Sequence, residues 1–194
     1  RLNNMRFHED WFIKTDITQV SKTKKVVNDA IKNLEENDLK ELSTRGSQSK
    51  QYDLKELFLN DDKFQFILEN CSNKITQEFE KRNGTDPLIT LNNAWTVIGD
   101  VGSFHAMHAH KNKPQNIIST VTYLSVPPKD HNDEKLMDLG DFYYNVNKDN
   151  RLLYYSHYPQ TNDFFIFPCW IWHGSYPQGK GIRQTLNIDF NIHR

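Results

Sequence analysis

Three histidines and one arginine in the second half of the chain have the types and spacing expected of a metal-dependent active site. His108 and His110 lie two residues apart, His173 follows an apolar segment, and Arg183 comes ten residues later. Side chains at i and i+2 of a strand point to the same face, so the first two imidazoles can converge on one ion. Three protein ligands leave positions open for reactants, whereas structural zinc sites are closed by four. We therefore expect a catalytic metal site with three histidine ligands.

Arg183 begins a terminal strand whose two faces differ in polarity. Residues 182, 186, 188, 190 and 192 are apolar, whereas Arg183 shares the other face with Thr185 and Asn187. Burying that polar face is costly unless a ligand satisfies it. A guanidinium pairs well with a carboxylate through two parallel hydrogen bonds. The pattern predicts that Arg183 holds a carboxylate in a cavity.

Other side chains in the sequence are also candidate metal ligands. His105 has the opposite parity to His108 and His110, so in a continuous strand it points away, and we expect it behind the ligands or at the surface. His157 belongs to a different predicted strand, and we expect no ligand role for it. Asp141 is an alternative to His110, because iron sites of this kind usually include a carboxylate. Spacing alone leaves that alternative open.

The elements that must position these residues change in type near Pro87. Before it, helical periodicity covers residues 18–42 and a second helix runs from Asp61 or Asp62 to Asn83. After it, short strands are predicted at 89–97, 117–126, 141–146, 152–158, 164–167 and 182–192. This order predicts a mainly β fold with N-terminal helices (α+β), a jelly roll with the helices packed on one sheet. We expect a single domain over residues 1–194, with residues 1–86 as a largely helical support and 87–194 as the catalytic core.

Composition narrows the function classes. A net charge of -1 gives no electrostatic reason to expect binding to nucleic acid or to an anionic membrane. Two cysteines exclude a disulfide framework, and no apolar run reaches the ~18 residues of a membrane span. These features favour a cytoplasmic protein, whose oligomeric state the sequence leaves open. The hydrophilic loop at residues 127–139 is either a lid over the cavity or a solvated surface loop.

A set of motifs from about residue 90 onward resembles the 2-oxoglutarate/Fe(II) oxygenase family found in phages and marine bacteria. The resemblance implies a double-stranded β-helix, which is the jelly roll inferred above, and the host cytoplasm as the compartment if the chain is phage-encoded. The residues that carry the resemblance are Asn93-Ala-Trp95, Gly102, His108-Ala-His110, Val121-Thr-Tyr123-Leu124, Phe167-Pro168-Cys-Trp170-Ile-Trp172-His173, Arg183 and Asn187-Ile-Asp-Phe190-Asn191-Ile192.

The resemblance implies Fe(II) as cofactor, 2-oxoglutarate as cosubstrate, and oxygen and an unidentified prime substrate as reactants. The superfamily pattern is His-x-Asp/Glu, a distal His, and a basic residue about ten residues later, which His173 and Arg183 fit. His110 departs from it by replacing the acidic ligand. Arg183 would bind the distal carboxylate of 2-oxoglutarate, and the product would usually be a hydroxylated substrate. Candidates for further cosubstrate contacts are Tyr123, Thr185, Asn187 and Asn93.

Two other functions stay open at this point. A three-histidine cupin dioxygenase would bind its substrate directly to iron without 2-oxoglutarate. A jelly-roll binding module would keep the metal residues without catalysis. Succinate release from 2-oxoglutarate distinguishes the first function from both alternatives.

Overall fold

The computed structural model describes residues 11–34, 37–38, 49–83, 86–110, 116–129 and 139–193. Strands predominate in this part of the chain, and the helices precede most of them. In chain order the elements are β1 (Ile13–Asp16), α1 (Val20–Ile31), β2 (Asn37–Asp38), β3 (Lys50–Asp53), α2 (Lys55–Asn60), a 3-10 turn (Asp62–Phe64), α3 (Gln65–Asn83), β4 (Leu88–Gly99), β5 (His105–His108), β6 (Ile117–Ser125), β7 (Phe142–Lys148), β8 (Arg151–His157), β9 (Asp163–Pro168), β10 (Trp172–Ser175) and β11 (Arg183–His193).

The strands form two antiparallel sheets, as the jelly-roll prediction requires. The large sheet has the order β1-β9-β6-β11-β4-β3-β2, and the small sheet has the order β5-β10-β7-β8. Apart from the consecutive pairs β2–β3, β3–β4 and β7–β8, neighbouring strands are distant in sequence, so the chain crosses repeatedly between the two layers. This connectivity brings β5 and β10, which carry His108 and His173, side by side in the small sheet.

Alternation within the central strands separates two apolar cores. On β9, Phe164 and Ile166 belong to a core shared with the helices, whereas Phe165 and Phe167 belong to a core between the two sheets. β11 follows the same rule: Leu186 and Ile188 face the helices, and the alternate residues line a cavity. Both faces of these strands are therefore covered, which explains their nearly continuous burial.

The helices cover the outer face of the large sheet, as predicted. In α3 the residues at four-residue spacing, Ile67, Cys71, Ile75 and Phe79, are buried in the core that they share with the sheet. Asp61 caps the 3-10 turn that leads into this helix, because its carboxylate accepts a hydrogen bond from the Lys63 backbone N–H at 2.9 Å. The predicted bounds of this second helix are thus close to the observed ones.

The first predicted helix is too long. α1 ends at Ile31. Asn37 pairs with Gln51 of β3 and Asp38 pairs with Lys50, instead of continuing the helix. Pairing with a strand edge overrides the periodic pattern here, because tertiary contacts outweigh weak helix propensity. The N-terminal part therefore contributes three strands to the large sheet in addition to its helices.

Several sequence predictions concern residues outside the described part of the chain. These are the apolar positions Leu39 and Leu42 of the predicted first helix and most of the loop at 127–139. Among the described residues, no helix is both long enough and apolar enough to cross a membrane.

The core between α-helices and β11 generates a stability prediction. Ile188 is fully buried there, whereas Ile182, just before the same strand, is 59% exposed. We expect Ile188→Ala to lower the free energy of unfolding by about 2–5 kcal/mol, through lost burial and a residual cavity. Ile182→Ala is the matched control and should change it by less than about 0.5 kcal/mol. Urea unfolding monitored by circular dichroism measures both, and equal effects would contradict the burial of Ile188 in this core.

Candidate active site

The three predicted histidines converge at the edge of the small sheet. His108 ends β5 and stands directly opposite His173 of β10. His110 lies just beyond β5, where its backbone N–H donates to the Cys169 carbonyl at 2.8 Å. One ring nitrogen from each histidine lies within 4.8 Å of the other two. The convergence holds although β5 is shorter than the sequence suggested, because the Cys169 contact fixes the chain after its last paired residue.

Hydrogen bonds on the outer side of the rings determine which nitrogens face inward. Nδ1 of His108 lies 2.8 Å from the Ala106 carbonyl, and Nδ1 of His173 lies 2.9 Å from the Ile171 carbonyl. A carbonyl oxygen only accepts hydrogen bonds, so both Nδ1 atoms carry the proton. The lone pairs of these rings are therefore on Nε2, the nitrogen that a metal ion would use.

The surroundings keep these imidazoles neutral. Burial lowers the pKa of His173 well below its usual value, and the neighbouring His108 and His110 lower it further. Burial also lowers the pKa of His108, with a smaller contribution from His110. Neutral imidazoles keep a lone pair at pH 7. The donor set therefore suits a divalent first-row metal, for which imidazole is a preferred ligand.

Arg183 lies on the wall of the same cavity and is only 7% exposed. Its guanidinium donates to the Gly140 carbonyl at 2.9 Å and to Ser175 Oγ at 3.0 Å. Among the described residues no carboxylate forms an ion pair with it. Burial lowers the pKa of Arg183, yet a guanidinium stays protonated in proteins. A buried positive charge with spare donors is an environment that favours an anionic ligand.

One pocket joins the histidines to Arg183. The pocket is open to solvent and holds about 680 Å³ of space that no protein atom fills, including the space at its mouth. Thr185 and Asn187 line it beside Arg183, with the Asn187 amide donating to Thr185 Oγ1 at 3.1 Å. Its apolar walls are formed by Trp95, Val97, Val121, Tyr123 and Phe142.

Four of the predicted cosubstrate contacts line this pocket and one does not. Arg183, Tyr123, Thr185 and Asn187 are present in its wall. Asn93 is not among its described lining residues. The Asn93 side-chain carbonyl instead accepts a hydrogen bond from the Ala94 N–H at 3.0 Å. Trp95, two residues further along β4, lines the pocket, and its ring centroid lies 6.0 Å from that of His110.

The prediction that His105 points away from the site is wrong, because His105 lines the pocket. The pairing of β5 with β10 is irregular: His108 opposes His173, but His105 opposes Ser175, so three steps on one strand match two on the other. Such a bulge reverses the side-chain parity. His105 therefore lines the same pocket as His108.

The environment of His105 is unusual for an imidazole. Its Nε2 is buried without a hydrogen-bond partner among the described residues. Burial lowers the pKa of His105 to about 3, with smaller contributions from Arg183 and His108. The ring is thus neutral. A polar ligand in the pocket would satisfy the buried nitrogen.

Asp141 does not join the histidines. Its carboxylate accepts hydrogen bonds from Lys129 Nζ at 3.4 Å and from Ser156 Oγ at 3.2 Å. Within the described part of the chain, only His108, His110 and His173 form a cluster suited to a metal ion. The structure therefore offers no support for the alternative in which Asp141 replaces His110. His157 packs against Phe165 with ring centroids 4.9 Å apart, away from the cluster, as expected.

Sequence reasoning missed a buried carboxylate behind His110. Asp189 of β11 is fully buried, and its Oδ2 lies 3.5 Å from His110 Nδ1. Ser119 of β6 stands opposite Asp189 in the sheet and donates to its Oδ1 at 2.7 Å. The sequence did contain one signal for Asp189. It lies an even number of residues from Arg183 on the terminal strand, so both side chains are expected on the same face.

Comparison with known families gives a match over the strands that carry this site. Residues 93–191, just over half of the chain, match the family described as "Putative 2OG-Fe(II) oxygenase". The matched segment contains all three histidines and Arg183. No curated relative matches the chain in sequence.

Solved structures share the fold at low sequence identity. A prolyl-4-hydroxylase from Pseudomonas putida aligns with a TM-score of 0.62 at 12% identity, covering 94% of this chain and 92% of that one. A viral collagen prolyl hydroxylase from Paramecium Bursaria Chlorella virus-1, in complex with 2-oxoglutarate, aligns with a TM-score of 0.61 at 12% identity, covering 95% and 97%. HygX from Streptomyces hygroscopicus, with nickel, 2-oxoglutarate and hygromycin B bound, aligns with a TM-score of 0.64 at 10% identity, covering 93% and 82%.

The geometry of the three imidazoles generates a prediction about metal binding. We expect His108→Ala, His110→Ala and His173→Ala each to lose most bound metal, because a three-ligand site has no spare protein donor. His157→Ala is the matched control, since His157 is also a half-buried imidazole of the small sheet whose pKa burial lowers. Equilibrium dialysis with Mn(II), together with circular dichroism, measures binding and folding. Full Mn(II) occupancy in the folded His173→Ala protein would contradict the prediction.

Proposed function

Because the chain belongs to the 2-oxoglutarate- and Fe(II)-dependent oxygenase family, we propose that His108, His110 and His173 hold its catalytic iron and that Arg183 binds the distal carboxylate of 2-oxoglutarate. The reaction of this family uses molecular oxygen and a prime substrate in addition to the iron and the cosubstrate. The observation that carries the residue assignment is the single pocket that joins three converging imidazoles to a buried guanidinium.

The donor set supports iron at the histidines. Three Nε2 atoms on one side of an ion leave the opposite side accessible from the pocket, which is the arrangement of a catalytic site. When bound, the iron together with 2-oxoglutarate supplies the oxidising power for the attack on an unreactive substrate. The chain's own contribution is to fix the three rings and to exclude water with the apolar walls around them.

The polar end of the pocket supports 2-oxoglutarate as the ligand of Arg183. The cosubstrate has two carboxylates, and one of them must lie away from the metal. Arg183 offers a buried cation with donors beyond the two that contact Gly140 and Ser175. Tyr123 is buried beside it, and burial raises the pKa of its phenol, so the phenol remains a protonated donor at pH 7. Thr185 adds a hydroxyl at the same wall.

We propose substrate hydroxylation as the reaction type, with the substrate entering at the open mouth of the pocket. The solved structures that share the fold include prolyl hydroxylases and a protein with hygromycin B bound. These ligand classes differ widely, so the shared fold selects none of them for this chain.

One observation favours a second function. Among the described residues, the cluster suited to a metal ion consists of three histidines and contains no carboxylate. A three-histidine dioxygenase that needs no 2-oxoglutarate has the same set of ligands. In that case Arg183 would hold a carboxylate of the substrate itself. The family match favours the first function, and the two differ in the product formed from 2-oxoglutarate.

The oxygenase function predicts turnover of the cosubstrate. We expect the aerobic, Fe(II)-loaded protein to convert 2-oxoglutarate to succinate slowly even without the prime substrate, and the His173→Ala protein to form none above the rate of free iron. Chromatographic measurement of succinate tests this. Oxygen consumption that proceeds without 2-oxoglutarate and yields no succinate would contradict the proposal in favour of the three-histidine dioxygenase.

Arg183 generates a prediction about cosubstrate affinity. We expect Arg183→Ala to weaken 2-oxoglutarate binding by about 2–5 kcal/mol, because one partner of a buried charge pair is removed, and to leave Mn(II) affinity nearly unchanged. Arg183→Lys should retain part of the affinity, since an ammonium supplies the charge without the two-point geometry. Arg151→Ala, which removes an exposed cation, is the control. Anaerobic calorimetric titration of the Mn(II) protein measures these affinities, and equal binding by Arg183→Ala would refute the assignment.

A further inference from the structure

We propose that Asp189 is a positioning residue for the metal site, acting through Ser119 and His110 to orient one ligand and to supply negative charge behind it. This inference rests on the proposed metal site. It concerns a carboxylate outside the set of three ligands, fully buried in the large sheet and 3.5 Å from His110 Nδ1.

The sheet register brings Asp189 to this place. Asp189 of β11 stands directly opposite Ser119 of β6, so the two side chains share one face. That face is the one that carries Asn187, Thr185 and Arg183 toward the pocket, because alternate residues of a strand share a side. The two central strands of the large sheet therefore hold the Asp189 carboxylate behind the cluster of three histidines.

The available protons determine how this group acts on His110. Ser119 has one hydroxyl hydrogen, and its Oγ donates to Asp189 Oδ1 at 2.7 Å because a carboxylate only accepts. Toward His110, Ser119 Oγ can then only accept, so the Nδ1 at 3.2 Å is the donor. The proton on Nδ1 leaves Nε2 unprotonated and available to the ion. The hydrogen-bond direction, from His110 to Ser119 to Asp189, thus fixes both the tautomer and the orientation of the ring.

Charge distinguishes His110 from the other two ligands. His108 and His173 each donate to a neutral backbone carbonyl. His110 alone of the three is backed by a carboxylate, directly at 3.5 Å and through Ser119. Three neutral imidazoles leave the charge of a divalent ion uncompensated within the ligand set. A buried carboxylate one layer behind compensates part of it and makes the imidazole a stronger donor.

Asp189→Asn tests the charge with little change of shape. With Co(II) as the probe, we expect the affinity of the folded variant to fall about 10–100-fold, which is the usual cost of removing such a carboxylate. Asp163→Asn is the matched control, because Asp163 is also buried, lies on β9 of the same sheet, and pairs with Lys14. It should lose stability without losing Co(II) affinity. Equal Co(II) affinity of wild type and folded Asp189→Asn would overturn the inference.

Ser119→Ala tests the same link independently and covers the case in which Asp189→Asn fails to fold. Removing the hydroxyl frees the His110 ring to turn, so we expect weaker Co(II) binding and a changed ligand-field absorption spectrum. A folded Ser119→Ala protein with the wild-type affinity and spectrum would overturn the link through Ser119. Failure of the wild-type protein itself to bind Co(II) would instead refute the proposed metal site, which keeps the two failures distinguishable.

Discussion

The orientation of three imidazole rings depends on what each ring donates to on its outer side. His108 and His173 donate to carbonyls two residues before them in their own segments, so their direction is set locally. His110 lies beyond its strand and donates to a side chain of the large sheet. The site therefore requires the two sheets to be assembled, because only then does Ser119 lie behind His110. If the three histidines hold the metal as proposed, its affinity depends through this contact on the packing of the two sheets.

Arg183 and the histidines are brought to one pocket by the alternation of β11 and by the pairing of β10. Arg183 starts β11, and its guanidinium contacts Ser175, which lies two residues after His173 on β10. A buried cation next to neutral imidazoles is a costly arrangement for the protein alone, since burial disfavours charge without a counter-ion. In the proposed arrangement, an anionic cosubstrate bound between the histidines and Arg183 would relieve that cost.

The sequence predicted the jelly roll, the covering helices, the shared face of His108 and His110 and the polar face of the last strand, because each of these follows from local periodicity. His173 was added to the histidine pair from its spacing to Arg183 and the family resemblance, and the pairing of β5 with β10 confirms that it lies beside them. It failed where an irregularity or a distant pairing decided the result. The parity argument placed His105 outside the pocket, and the bulge between β5 and β10 reversed it. The helix expected to reach residue 42 ends at Ile31, because Asn37 and Asp38 pair with β3. Asp189 has the parity of Arg183, but only the register with Ser119 shows that it lies behind His110.

The most direct test of this account is a crystal structure of the protein prepared without oxygen and soaked with Fe(II) and 2-oxoglutarate. The account predicts one iron bound by Nε2 of His108, His110 and His173, with the distal carboxylate of 2-oxoglutarate against the Arg183 guanidinium. Iron bound through other residues, or 2-oxoglutarate bound away from Arg183, would contradict it.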